Sequence, residues 1–269
     1  LHSDTHSFPT RRSSDLGQEE WRFHLSAGTA LSGPWGVLKD HDWYVVEDVP
    51  PIKFSYTESD AEMFFFEAEA RAEKRLFSSR DSGLFGSLGY AFQYISQDAL
   101  GYSGWQLVQD PNPPVDDDYV YAIGVMNSDL LALEYTVQYH RLSGGAVLHW
   151  QPYPSFEIGL SLLPQLMYVI DRDDHVLRNK LSTAAGLGLG GETELSLSYR
   201  WRGRPDYQSY VSVSGGLLYL RAVTEQTQEW YGDDPGTAAD DTGQKFTGIT
   251  HIIQTLQGSL RLSAGVWYR

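Results

Sequence analysis

Cysteine is absent from this 269-residue chain, which excludes a disulfide framework and a thiolate-bound zinc site. The absence leaves the compartment open, because a fold closed by strand pairing needs no covalent staple. No apolar run reaches the ~18 residues of a membrane-crossing helix. That excludes a transmembrane helix but not a membrane-embedded sheet, whose strands cross with every second residue polar. Lysine is scarce, and Lys plus Arg number 20 against 35 Asp plus Glu, a net charge of -15. A pI near 4.8 argues against a phosphate-seeking surface. Nucleic acid is therefore excluded as a partner, and any electrostatic partner is cationic.

What the chain does have is aromatics, at 13%, 26 glycines and a period of two. Trp21, Phe23, Leu25 and Ala27 alternate with Arg22, His24, Ser26 and Gly28. Phe64, Phe66, Ala68, Ala70 and Ala72 alternate with Glu67, Glu69, Arg71 and Glu73, and Leu195, Leu197, Tyr199 and Trp201 with Glu194, Ser196, Ser198, Arg200 and Arg202. In 156–170 the even positions are apolar and the odd ones mostly small or polar, with Leu163, Met167 and Val169 blurring the upper half. Side chains two apart on a strand share a face, so these segments read as β-strands with one apolar and one polar side. Eight strands are predicted: 20–31, 55–76, 83–97, 130–150, 156–170, about 180–202, 207–223 and 246–268.

The links are unequal. Short ones at 77–82, 151–155 and 203–207 alternate with long ones at 32–54, 98–129, 171–191 and 224–245. Tight turns at one end, long loops at the other and aromatic strand ends are the pattern of an outer-membrane barrel. A soluble β-sandwich also alternates, but it seldom strings Arg and Glu along the second face of strands this long. The expected fold is an all-β, antiparallel, up-and-down transmembrane β-barrel. Trp150, Tyr153, Trp201, Tyr219 and Trp267 suit its interfacial girdles.

Two loop motifs carry chemistry. Asp171-Arg172-Asp173-Asp174-His175 follows the strand at 156–170; if its parity holds, Asp171, Asp173 and His175 share the polar face. A carboxylate beside an imidazole fixes its tautomer and stabilises the imidazolium, as a general base requires. An acidic loop tip with a surface histidine is the plainer alternative. Asp40-His41-Asp42-Trp43 sets two carboxylates on one side of an extended segment, with His41 as spacing. Such a pair can hold a proton or orient a water; solvated loop charge or a weak cation site is the alternative. Loop parity brings both motifs to the same end of the barrel.

In these residues the chain resembles the omptin family of outer-membrane aspartyl proteases. Asp40, Asp42 and Trp43 match the family's aspartate pair, and Asp171, Asp173 and His175 its Asp–His dyad with the preceding specificity aspartate. Ser263 to Tyr268 is similar to the family's last strand, and the resemblance runs from about residue 19 to the end. It implies a ten-stranded barrel in the outer membrane of a Gram-negative bacterium, of which about eight strands are present here. Asp40, Asp42, Asp173 and His175 would be catalytic, facing the exterior, with His175 deprotonating a water held opposite the Asp pair. Asp171 would hold a basic side chain of a peptide or protein substrate. No metal or other cofactor is implied, although family members depend on lipopolysaccharide for activity.

The first sixteen residues, LHSDTHSFPTRRSSDL, resemble translated sequencing adapter rather than protein. Residues 17–269 then read as an N-terminally truncated barrel protease domain. A catalytically silent barrel acting as an adhesin or surface structural protein is the competing function. A small pore is disfavoured by the Glu/Arg lumen of 64–73, and a metal-dependent hydrolase would be exposed by chelation. His24 reads as lumen-facing. His140, His149 and His251 have no acidic partner nearby in sequence, and Asp233-Asp234 with Asp240-Asp241 read as a solvated rim or, less simply, a calcium site.

Overall fold

The computed structural model describes residues 20–30, 34–44, 52–109, 119–204, 207–233 and 240–268. Among these lie nine antiparallel strands: β1 (Trp21–Ala30), β2 (Pro34–Tyr44), β3 (Ile52–Ser78), β4 (Ser82–Gln109), β5 (Tyr119–Tyr153), β6 (Phe156–His175), β7 (Lys180–Arg204), β8 (Tyr207–Trp230) and β9 (Lys245–Tyr268). They form one up-and-down sheet in the order β1-β3-β4-β5-β6-β7-β8-β9, with β2 also paired to β3. β1 and β2 occupy one lane, since β1 pairs with Lys74 to Phe65 and β2 with Glu62 to Ile52. Nine strands thus fill the eight lanes that alternation predicts.

The long links are where prediction and structure part. Most of the described residues of 32–54, 98–129, 171–191 and 224–245 are strand, not loop. β4 and β5 stay paired from Tyr102–Met126 out to Gln109–Tyr119. β6 and β7 pair to His175–Lys180, leaving only the 3-10 turn Val176–Arg178 and a left-handed Asn179. These arms run beyond the apolar band, where both faces can meet water. Their backbone groups are satisfied by ladder bonds, and no face needs apolar residues. The period that marks a strand in sequence is therefore missing. At Gly101 (φ 58) the β4–β5 register shifts, a bulge conformation that glycine takes without steric cost.

The sheet is rolled into a barrel. Arg71 on β3 reaches Glu192 on β7, Gln93 on β4 reaches Gln257 on β9, and the Tyr139 hydroxyl on β5 meets Thr255 on β9. Strands four or five lanes apart touch through side chains only if the sheet curls on itself. The outer face is apolar: on β6 Leu160, Leu162, Leu166, Tyr168 and Ile170 are exposed, while Ser161, Leu163, Gln165, Met167, Val169 and Asp171 are buried between them. Trp21, Phe77, Trp150, Tyr153, Tyr199 and Trp201 ring the short-turn end, and Phe64, Phe66, Tyr90 and Tyr168 ring the other. Tyr219 is exposed on the outer face of β8, in register with Gly191 of β7. The Trp267 side chain lies outside the described residues.

The lumen is layered. Nearest the short turns, Glu157 joins His149 (2.9 Å) and Arg200, and Arg22 stacks 3.9 Å over Phe85. His24 contacts Glu73 at 3.4 Å, from the lumen side as expected. Above sits an ion network in which Glu67 meets Arg141 (3.2 Å), Arg71 meets Glu69 (2.6 Å) and Gln165 donates to Glu192 (3.0 Å). Over it lies an apolar layer of Val137, Tyr139, Met167, Val169, Leu218, Leu220, Ala222 and Ile253. The residues that blur the alternation of 156–170 are thus lumen packing: Met167 and Val169 belong to this layer, and Leu163 is equally buried. Glycine lets neighbouring lanes approach, since a Cβ at Gly145 would lie 2.1 Å from the Leu162 carbonyl oxygen.

Candidate active site

β6 carries the acid cluster past the apolar band to the end where the long hairpins project. There Asp173 Oδ2 lies 3.1 Å from His175 Nε2, with both side chains about a quarter exposed. The other ring nitrogen of His175 has no partner among the described residues. If Nε2 carries the proton given to Asp173, Nδ1 keeps its lone pair as the basic site. Arg172 and Asp174 form a separate group: Arg172 bonds Glu134 (3.1 Å) and Asp174 (2.8 Å), and the Tyr231 hydroxyl donates to Asp174 (3.0 Å). These contacts tie the β5–β6 arm to the end of β8.

Asp173 also lines a cavity of about 330 Å³ together with Asp171, Tyr135 and Tyr139 on β5, Gln97 on β4 and His251 to Thr255 on β9. Ile95, Val137, Tyr139 and Ile253 give it apolar walls continuous with the layer beneath. Asp171 is almost wholly buried. Its Oδ2 accepts from the Tyr135 hydroxyl at 2.8 Å and lies 3.4 Å from His251 Nε2. Its Oδ1, like Oδ1 of Asp173, is buried without a partner. Burial pushes the Asp171 carboxyl above the usual carboxylate range, opposed by the Tyr135 hydroxyl and then by His251. Burial first, and the Asp171 charge next, likewise push the Tyr135 phenol up.

The shift in Asp171 has a consequence for stability. The folded state holds the Asp171 proton more tightly than the unfolded chain, so ionising it costs stability as pH rises from the unfolded value toward the folded one. Asp171→Asn is therefore expected to stabilise the barrel more at neutral pH than in acid, because the cost of ionising Asp171 shrinks as pH falls toward the unfolded value. Urea unfolding at pH 4 and pH 8 measures this. A larger gain at pH 4 than at pH 8 contradicts it.

The backbone brings the Asp40/Asp42 segment to the same end. β2 pairs Asp40 with Thr57 and Asp42 with Ser55, near the open end of β3. The side chains of Asp40, Asp42 and Trp43 lie outside the described residues. His41 packs against Tyr56, ring centroids 4.9 Å apart. Among the described residues no three His, Asp or Glu side chains converge to hold a metal ion. Asp240 and Asp233 accept from the backbone amides of Thr242 (3.0 Å) and Asp241 (3.4 Å), as loop-capping carboxylates do. Asp234 lies outside the described residues.

Sequence reasoning misses His251 and Tyr135. Tyr135 is the register partner of Asp173, a relation visible only once β5 and β6 are paired. His251 meets an aspartate 80 residues away across the lumen, and nothing local signals it. His149 gains Glu157 from the next strand, whereas His140 bonds the Tyr90 hydroxyl (2.8 Å) in the outer girdle.

Fold and site together define an antiparallel β-barrel with an acid–imidazole pair at its long-hairpin end. Among solved structures the chain is similar to the outer membrane protease OmpT from Escherichia coli, with a TM-score of 0.64 and 16% identity over 93% of this chain and 78% of that one. The fold is omptin-like. No family model and no curated protein matches the sequence.

Proposed function

We propose that this chain is an omptin-type endopeptidase of the outer membrane, its hairpin end facing the exterior, which cleaves peptides or proteins near basic residues. The observation that carries the reading is the 3.1 Å Asp173–His175 contact at the open end of an omptin-like barrel. His175 takes a proton from a water, and Asp173 holds the ring and stabilises the imidazolium that forms. Asp40 and Asp42 orient that water from the facing hairpin, and it attacks the scissile carbonyl directly. The proton on His175 then passes to the leaving amine, so no covalent acyl-enzyme arises. Asp171 receives the basic side chain, and the net charge of -15 concentrates cationic peptides at the mouth. The apolar outer band and its aromatic rings would sit in lipid, with lipopolysaccharide around the outer rim as a required partner.

The test is a quenched peptide carrying Arg-Arg, offered to the protein refolded with lipopolysaccharide. Cleavage is expected next to arginine, undiminished by EDTA, and absent when both arginines become glutamine. Loss of activity in chelator would point to a metal-dependent hydrolase instead. No cleavage of any basic peptide would favour an adhesin or surface structural role.

A further inference from the structure

Asp171 is the least solvated charge-bearing group at the mouth, and its partner His251 is not. The two side chains are 1% and 31% exposed, so the imidazole stands between a buried carboxylate and the open cavity. His251 is fixed by the β8–β9 ladder, where it pairs with Thr224, and by the Thr224 hydroxyl, which donates to its carbonyl oxygen at 3.2 Å. Its ring therefore reaches across the lumen from a braced backbone. A buried carboxylate with one oxygen unpartnered favours a cation. Two can supply it: a basic group entering the cavity, or the protein's own imidazolium.

We infer that His251 is a specificity-determining residue, whose imidazolium competes with a ligand's cationic side chain for Asp171 so that the pocket accepts basic groups only when His251 is neutral. This rests on the reading of Asp171 as the residue that receives a basic side chain. The cavity suits a ligand with an alkyl stem and a cationic tip, because Ile95, Val137 and Ile253 line it beside Asp171 and Asp173. The titratable or charged groups facing His251 are Asp171 and Asp173 from β6, with His175 beyond them, and Tyr135 and Tyr139 from β5. Gln97 on β4, and Thr224 and Gln226 on β8, are neutral.

The test uses n-butylguanidinium, with uncharged n-butylurea as control, and measures affinity for the refolded barrel by NMR titration between pH 5.5 and 8. Where a proton on the imidazole and the ligand's cation exclude one another at Asp171, affinity falls by up to about tenfold for each unit that the pH drops. In the unsubstituted protein the guanidinium is expected to bind at least about tenfold more weakly at pH 5.5 than at pH 8, while butylurea shows no such trend. His251→Asn should remove most of that dependence, leaving the part due to Asp171 itself. His251→Gln serves as second variant, and heat-modifiable gel migration reports folding of each. Asp171→Asn should abolish binding of the cation at both pH values. Unchanged pH dependence in the His251 variants, undiminished binding by Asp171→Asn, or no guanidinium binding at any pH overturns the inference. A protein that binds the guanidinium in this manner yet cleaves no peptide would overturn the endopeptidase reading alone.

Discussion

His175→Ala is expected to lower kcat/KM on an Arg-Arg peptide by about 10²- to 10⁴-fold, the range a positioned general base contributes. The loss should fall on kcat, because the imidazole acts on water in the transition state and does not hold the peptide. Asp173→Asn tests the same unit by a different route. Its amide preserves the size of the carboxylate 3.1 Å from His175, but it removes the charge that favours the imidazolium and can hold the ring in the wrong tautomer. It should also cost at least about a hundredfold in kcat. The acid limb of the kcat profile, measured at saturating peptide so that binding at Asp171 does not contribute, should vanish in His175→Ala. Wild-type cleavage by His175→Ala would remove the mechanism. A change confined to KM would reassign His175 to binding.

Arg200→Ala should produce the largest loss of stability. Arg200, Glu157 and His149 form one buried group near the short-turn end, with Glu157 bonded to both others. Removing one partner of a buried ion pair leaves the remaining charge desolvated, at a cost of about 3–5 kcal/mol. The double variant Glu157→Gln/Arg200→Met removes both charges and should be closer to the unsubstituted protein than Arg200→Ala is. Urea unfolding followed by tryptophan fluorescence measures all three. If Arg200→Ala and the double variant lose equal stability, shape and not charge holds this layer together. Because the group lies at the opposite end of the barrel from His175, activity per folded molecule should stay unchanged.

Alternation was readable wherever one face meets the apolar surroundings and the other the lumen. On β3 the sequence places Glu67, Glu69, Arg71 and Glu73 on the face opposite Phe64 and Phe66, and the structure gives Glu67 an ion-pair partner two lanes away and Arg71 one across the barrel. On β6 the even residues face out as their period implies. The signal failed above the band for a physical reason: the arms of β4, β5 and β6 need no apolar outer face there, so no alternation is imposed on them. It failed again at Leu163, Met167 and Val169. Those apolar residues break a polar-lumen pattern because the lumen carries its own packed layer.

The residues of the site divide in the same way. Asp173 and His175 sit two apart on one extended segment, so their contact follows from strand geometry once the segment is read as β. That Asp40 and Asp42 reach the same end follows from counting short and long links. The sequence by itself therefore determined the strand class, the two-sided wall and the short-range pair. Only the tertiary structure decided that Asp171 is buried, that Tyr135 and His251 hold one of its oxygens, and that an apolar layer floors the cavity. Those relations depend on which lanes face each other after the sheet rolls up. Strand spacing and curvature set that pairing, and residues 80 apart in the chain carry no local trace of it.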